Sequence, residues 1–154
     1  MDHEYLLWIM LFSYALHILE EYVLNWRDWA IKQMHFEVDW PVFYVTNAIV
    51  VVGGICTAII GWKLPAFSLA FPALALVNAV FLHIVPTIAQ RHFSPGLLTG
   101  ILLFLPIGFA CYWGAAADGV LDEATLTISA IGGVVLMAYP IILLKLKPKL
   151  GIHE

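Results

Sequence analysis

Hydrophobic residues run along this chain in five long blocks rather than in short alternating patches. They predict membrane spans over about residues 5–25, 42–62, 66–89, 96–116 and 125–144. Each block approaches or exceeds the roughly 20 apolar residues that cross a bilayer as a helix. Pro41, Trp62-Lys63, Pro65, Gln90-Arg91, Pro95 and Lys145 mark the block ends. Segment 26–40 (WRDWAIKQMHFEVDW) breaks the pattern. Trp26, Trp29, Phe36 and Trp40 fall near one face at helical spacing with Gln33 among them, while Arg27, Asp28, Lys32, Glu37 and Asp39 lie mostly elsewhere. That pattern predicts a short interfacial helix in the headgroup region; an irregular connector carrying interfacial tryptophans is the alternative. The expected fold is an all-α polytopic membrane helix bundle, with five transmembrane helices plus a short interfacial helix, as a single integral membrane domain over 1–154. Pro72, Pro86, Pro106 and Pro140 are expected to kink spans. Gly53, Gly54, Gly61, Gly132 and Gly133 are expected to let helices approach closely.

Composition sharpens this reading. The chain is 62% hydrophobic and only 12% charged, against about 25% charged in soluble domains, and its mean hydropathy is +0.91. Seven Lys and Arg in 154 residues form no basic stripe, which argues against nucleic-acid binding. Their placement carries more than their number. With five spans, six of the seven (Arg27, Lys32, Arg91, Lys145, Lys147 and Lys149) fall on one side, and Lys63 alone falls on the other. Positive loops stay inside, so the N-terminus is expected outside and the C-terminus inside, in the cytoplasmic membrane if the chain is prokaryotic. Cys56 and Cys111 lie in predicted spans and read as small packing residues. There is no disulfide framework and no CxxC metal motif. The leader Met1-Asp2-His3-Glu4 lacks a basic n-region, so the first block reads as a retained span rather than a cleaved signal.

The candidate chemistry lies inside the membrane. His17, Glu20 and Glu21 interrupt the first apolar block near its end. Ionisable groups are costly there, and the default reading is a functional site facing the bundle interior. His17 stands three residues before Glu20 and four before Glu21, so either carboxylate can approach the imidazole on nearly one helix face. At about 1.5 Å rise per residue, Asn47 in the second span and His83 in the third come to the same half of the bundle. Asn78 lies near mid-membrane, and Thr99 enters the fourth span at similar depth. Asn78 and His83 are about 140° apart around a regular α-helix, so they need not face one atom. Each of these residues has a plainer reading: an ion pair for His17, interhelical hydrogen bonding for Asn47 and Asn78. Tyr14, one turn before His17, either joins the cluster or packs. Arg91 and His92 read as interfacial anchors.

His17-Ile18-Leu19-Glu20-Glu21 resembles the motif that names the HXXEE-domain membrane proteins. Asn78 and His83 resemble that family's later Asn…His pair. Phe93-Ser94-Pro95-Gly96 resembles its Tyr-x-Pro-Gly turn, with Phe in place of Tyr. The hydroxyl is missing at Phe93, so no catalytic hydroxyl role carries over to that position. The resemblance covers most of the chain and supports the choice of site residues; it implies no reaction.

Imidazole and carboxylate together suit a divalent metal such as Zn, Fe or Mn. The leading expectation is a metal-dependent membrane enzyme, a hydrolase or an oxidoreductase. Its ligands would be His17, Glu20, Glu21 and His83, with Glu20, Glu21, Asn47 and Asn78 as the catalytic set. A substrate that reaches such a site is lipid-like or amphipathic, so membrane lipid is the expected partner, and a homo-oligomer is open. Two alternatives stand beside it. One is a small proton-coupled or metal transporter, against which the sequence shows no inverted repeat. The other is a binding or structural module whose polar cluster only holds helices together.

Overall fold

The computed structural model describes residues 2–35 and 38–146, with side chains described through Ile142. Phe36, Glu37, Lys147 and Lys149, and the side chain of Lys145, therefore lie outside the described residues. Helices α1 (Tyr5–Val23), α3 (Trp40–Lys63), α4 (Pro65–Gln90), α5 (Leu97–Ala117) and α6 (Glu123–Leu146) are long and apolar enough to cross a membrane. A short helix, α2 (Trp26–Trp29), follows α1. No strand occurs among the described residues. The bundle is all-α, with boundaries within a few residues of those expected.

Local chemistry sets the helix ends. Asn25 adopts a left-handed backbone, φ 56°, and separates α1 from α2; Asn tolerates that region better than most side chains. The Asp39 carboxylate accepts the Val42 N–H at 2.9 Å and starts α3 at Trp40, two residues before the expected position. Pro41 falls in the first turn, where its missing N–H costs nothing. The interfacial helix is shorter than expected. It runs from Trp26 through a π-helical turn, Ala30–Met34, and stops at His35, φ 56°. Trp26, Trp29 and Trp40 then pack around Ala30, Val38 and Phe43.

Two of the membrane prolines, Pro86 and Pro106, act through the turns before them. Ala79–Ile84 in α4 and Gly100–Phe104 in α5 are π-helical, and each ends immediately before the pair Val85-Pro86 or Leu105-Pro106. Proline supplies no N–H and clashes with the carbonyl four residues back; a wider turn relieves both.

Helix α4 is the centre of the bundle: 61% of its membrane window is buried, against 17–33% for the other spans. It packs along α6 and also meets α5, while α1 packs on α3 and α5. Hydrocarbon gives little hydrophobic drive between helices, so small residues and close contact hold them. A Cβ on Gly133 would run into Ala73 and the Leu74 backbone, and one on Gly54 would meet Phe71 at 2.7 Å. Gly53 differs from expectation, with open space around it. Cys111 is buried, but Cys56 is exposed on the outer surface. That surface is apolar, as Phe12, Val52, Leu102 and Val135 show.

One end of the bundle is closed by a polar knot. The His3 backbone N–H and the Trp62 indole N–H donate to Asp118 Oδ2 at 2.6 and 2.8 Å. His3 Nδ1 meets Asp118 Oδ1 at 2.7 Å, and the Trp62 backbone N–H donates to Glu4 Oε1 at 2.6 Å. The N-terminal residues, the α3–α4 turn and the α5–α6 loop thus share one end, as five spans require. At the other end the Gln90 amide donates to the Gln33 carbonyl at 3.0 Å.

Candidate functional site

Three buried side chains from two helices converge near that second end. His17 and Glu21 come from α1, four residues apart, and His83 comes from the π turn of α4. Glu21 Oε1 lies 3.6 Å from His17 Nε2 and 3.6 Å from His83 Nε2. One ligand atom from each residue lies within 4.8 Å of the others. The two rings meet edge to face with centroids 4.8 Å apart. At 3.6 Å the imidazole–carboxylate hydrogen bond that the spacing allows is not made. Both Nε2 atoms are buried without a hydrogen-bond partner, a condition that ordinarily costs about 1–3 kcal/mol per group.

The far nitrogens explain the orientation. His17 Nδ1 lies 2.8 Å from Thr99 Oγ1, which lies 2.5 Å from Glu20 Oε2. A carboxylate oxygen only accepts, so the one hydroxyl proton of Thr99 goes to Glu20, and Thr99 accepts Nδ1–H from His17. His17 Nε2 is left with its lone pair facing Glu21. His83 Nδ1 lies 3.0 Å from Ser94 Oγ. The Ser94 hydroxyl has the Leu82 and Pro95 carbonyls at 3.4 Å as acceptors, which frees its oxygen to take Nδ1–H from His83. Three electron pairs then point into one small space with no proton assigned between them. Ligands at about 2.0–2.1 Å around a tetrahedral Zn lie about 3.4 Å apart, close to the two 3.6 Å separations here. His17, Glu21 and His83 are the residues that could hold a divalent metal.

Glu20, expected as an alternative ligand, has a different position. Its carboxylate accepts the backbone N–H groups of Gly96, Leu98 and Thr99 at 3.0, 3.1 and 2.8 Å. It therefore caps α5 from a neighbouring helix, meeting the unpaired N–H groups of the first turn. Gly96 makes this approach possible. Its φ is 96°, and a Cβ there would meet His83 Cε1 at 2.5 Å and His17 Cε1 at 2.7 Å.

Asn47 and Asn78 line a groove beside the cluster rather than the cluster itself. Helices α3 and α6 both pack on α4 but hardly on each other, and the gap between them is a narrow groove of about 80 Å³, partly open to the surroundings. Leu74, Asn78 and Leu82 form its floor, and Glu21 and Tyr14 stand at its inner end. Asn47 accepts from the Tyr14 hydroxyl at 2.9 Å and donates to the Phe43 carbonyl at 3.0 Å. Asn78 is 6% exposed; its Nδ2 faces the Met137 sulfur at 3.7 Å and its Oδ1 has no partner. The π turn explains how Asn78 and His83 both serve the Glu21 side: it unwinds the five-residue interval toward one full turn. Ser94 and Thr99 were not legible as histidine partners, because hydroxyls beside a Pro-Gly turn read as ordinary helix-start residues.

A protein of Bacillus subtilis (strain 168) named "Uncharacterized protein YrkK" is similar to this chain, 25% identical over 150 residues that cover 91% of this chain and 94% of that protein. No solved structure matches. The family described as "Protein of unknown function with HXXEE motif" matches residues 8–111, which contain the whole His17–Glu21–His83 group, Ser94 and Thr99; the chain belongs to this family.

Proposed function

We propose that this protein is a metal-dependent enzyme acting on a substrate dissolved in the membrane. The observation that carries the reading is the pair of unpartnered Nε2 atoms aimed with Glu21 Oε1 into one buried space. Two imidazoles and one carboxylate leave coordination positions open for water and substrate, the arrangement of zinc hydrolases and of non-haem iron oxygenases. A bound metal would supply Lewis acidity or redox chemistry. This chain's own residues hold the ligands: Thr99 and Ser94 fix the two imidazole tautomers, and Glu20 fixes Thr99. Glu20 has its oxygens committed to donors from α5, so the carboxylate nearest the open positions is Glu21 itself.

A carrier is the less favoured alternative. Leu7, Met10, Phe104 and Cys111, all fully buried, fill the bundle between the cluster and the knotted end. An apolar plug suits a site entered from one side and opposes a path across the membrane.

The test is elemental analysis of protein purified without a His-tag and without chelator. About one equivalent of zinc, iron or manganese is expected, lost in His17→Ala, His83→Ala and Glu21→Gln and kept in Asn47→Ala. Metal-free protein that takes up none of these ions on reconstitution would overturn the reading.

A further inference from the structure

The groove between α3 and α6 leads to the cluster from the side, and its chemistry is selective. Its volume, about 80 Å³, lies below the roughly 300–1,000 Å³ of a drug-sized pocket, so it takes a thin chain that leaves most of its length in the surrounding hydrocarbon. Val50, Leu74, Leu82, Leu136 and Ile141 make most of its wall apolar. No Lys or Arg occurs among its described lining residues, and Glu21 is the acidic residue there. Two buried polar atoms of its lining residues lack partners: Asn78 Oδ1, on a residue only 6% exposed, and the indole N–H of Trp26. The first accepts a hydrogen bond and the second donates one.

We infer that this groove is a lateral port that admits an uncharged single-chain amphiphile with a hydroxyl head and presents that head to the Glu21 end. A hydroxyl both donates and accepts, so it can partner either orphan, and it brings no charge that the groove would have to neutralise. An anionic head would enter beside Glu21 with no cationic side chain among the described lining residues to pair it. The alkyl chain lies along the apolar wall, with its far end between α3 and α6 in the hydrocarbon. The inference rests on the metal-enzyme reading only for what meets the head at the inner end; the groove and its orphan atoms stand without it.

The test uses the full chain in nanodiscs and a long-chain alcohol bearing a diazirine near its end, with peptide mapping of the labelled residues. Label is expected on α3 and α6 residues of the groove. Unlabelled alcohol of equal length should compete, and the fatty acid of equal length should compete at least about tenfold less well. Filling the groove from either wall, by Met137→Trp or separately by Val50→Trp, should cut the label at least about tenfold. Metal content should not change in whichever variant folds. His17→Ala should lose its metal and keep the label, which separates the port from the metal centre. Equal competition by the fatty acid, label spread over the outer helix faces, or label unchanged in both groove-filled variants would each overturn the proposal.

Discussion

Thr99 accepts a hydrogen bond from His17 Nδ1 at 2.8 Å while giving its own proton to Glu20. This relay joins the two halves of the HXXEE motif across two helices. Glu21 meets the imidazoles directly, whereas Glu20 acts on His17 through a hydroxyl carried by α5. The adjacent carboxylates thus have different partners, which accounts for two of them at a place where each is costly.

Removing the relay should loosen the metal without unfolding the bundle. Thr99→Val keeps the shape of the side chain and takes away the Nδ1 partner. Metal affinity is expected to fall by roughly 10–100-fold, the usual effect of losing such a partner, and Thr99→Ser should restore it. Competition against a chromogenic chelator reads this. Unchanged affinity in Thr99→Val would show that the tautomer is fixed by something else.

Gly96 is where backbone and site depend on one another. Gly96→Ala forces a side chain into a left-handed conformation, at about 1–2 kcal/mol, and drives its Cβ toward both imidazoles. The variant is expected to lose metal and to unfold at lower temperature, by tryptophan fluorescence and elemental analysis on one sample. Retention of both properties would contradict the close packing seen here.

The seam between α4 and α6 should tolerate nothing larger than hydrogen at Gly133. A methyl group there meets main-chain atoms that cannot move aside, and overpacking of this kind costs about 1–3 kcal/mol. Gly133→Ala should lower the thermal midpoint and leave a metal ratio near that of the parent. Gly53→Ala, with nothing within 4 Å of its Cβ, is the matched control and should shift little.

Asp118 makes the knotted end sensitive to acid. The His3 backbone N–H, followed by the His3 side chain and the Trp62 indole, holds its carboxyl down from the ordinary 3.8 to about 2. A depressed folded value means that the carboxylate's stabilising contribution is fully present above the unfolded value of 3.8 and is lost as pH falls through about 2. Thermal midpoints measured from pH 5 down to pH 2 should fall across that window in the parent and less steeply in Asp118→Asn. Parallel curves would remove the knot as the cause.

Orientation can be read with a membrane-impermeant thiol reagent. By the count of spans, six of the seven Lys and Arg are expected on the side opposite the N-terminus, and positive loops stay inside. In a Cys56→Ala background, Asp2→Cys should react in intact cells and Asp28→Cys only after permeabilisation. The reverse result would invert the orientation and move the cluster to the outer half of the membrane.

The sequence by itself determined the spans, because crossing hydrocarbon demands about 20 apolar residues in a row and few charges interrupt these blocks. It also determined that His17 and Glu21 share a helix face, since four residues make one turn, and that His83 arrives at their depth, since rise per residue is fixed. Pro86 and Pro106 marked where α4 and α5 would depart from regular helix. Only the tertiary structure decided which carboxylate meets the imidazoles. Glu20 and Glu21 point about 100° apart, and the choice depends on how α1 is turned against α4 and α5, which contacts distant in sequence fix. The same packing decided that Asn47 and Asn78 belong to a groove and that Ser94 and Thr99 hold the histidines. A hydroxyl's partner is set by the helix that comes to face it, and nothing in the local pattern encodes that neighbour.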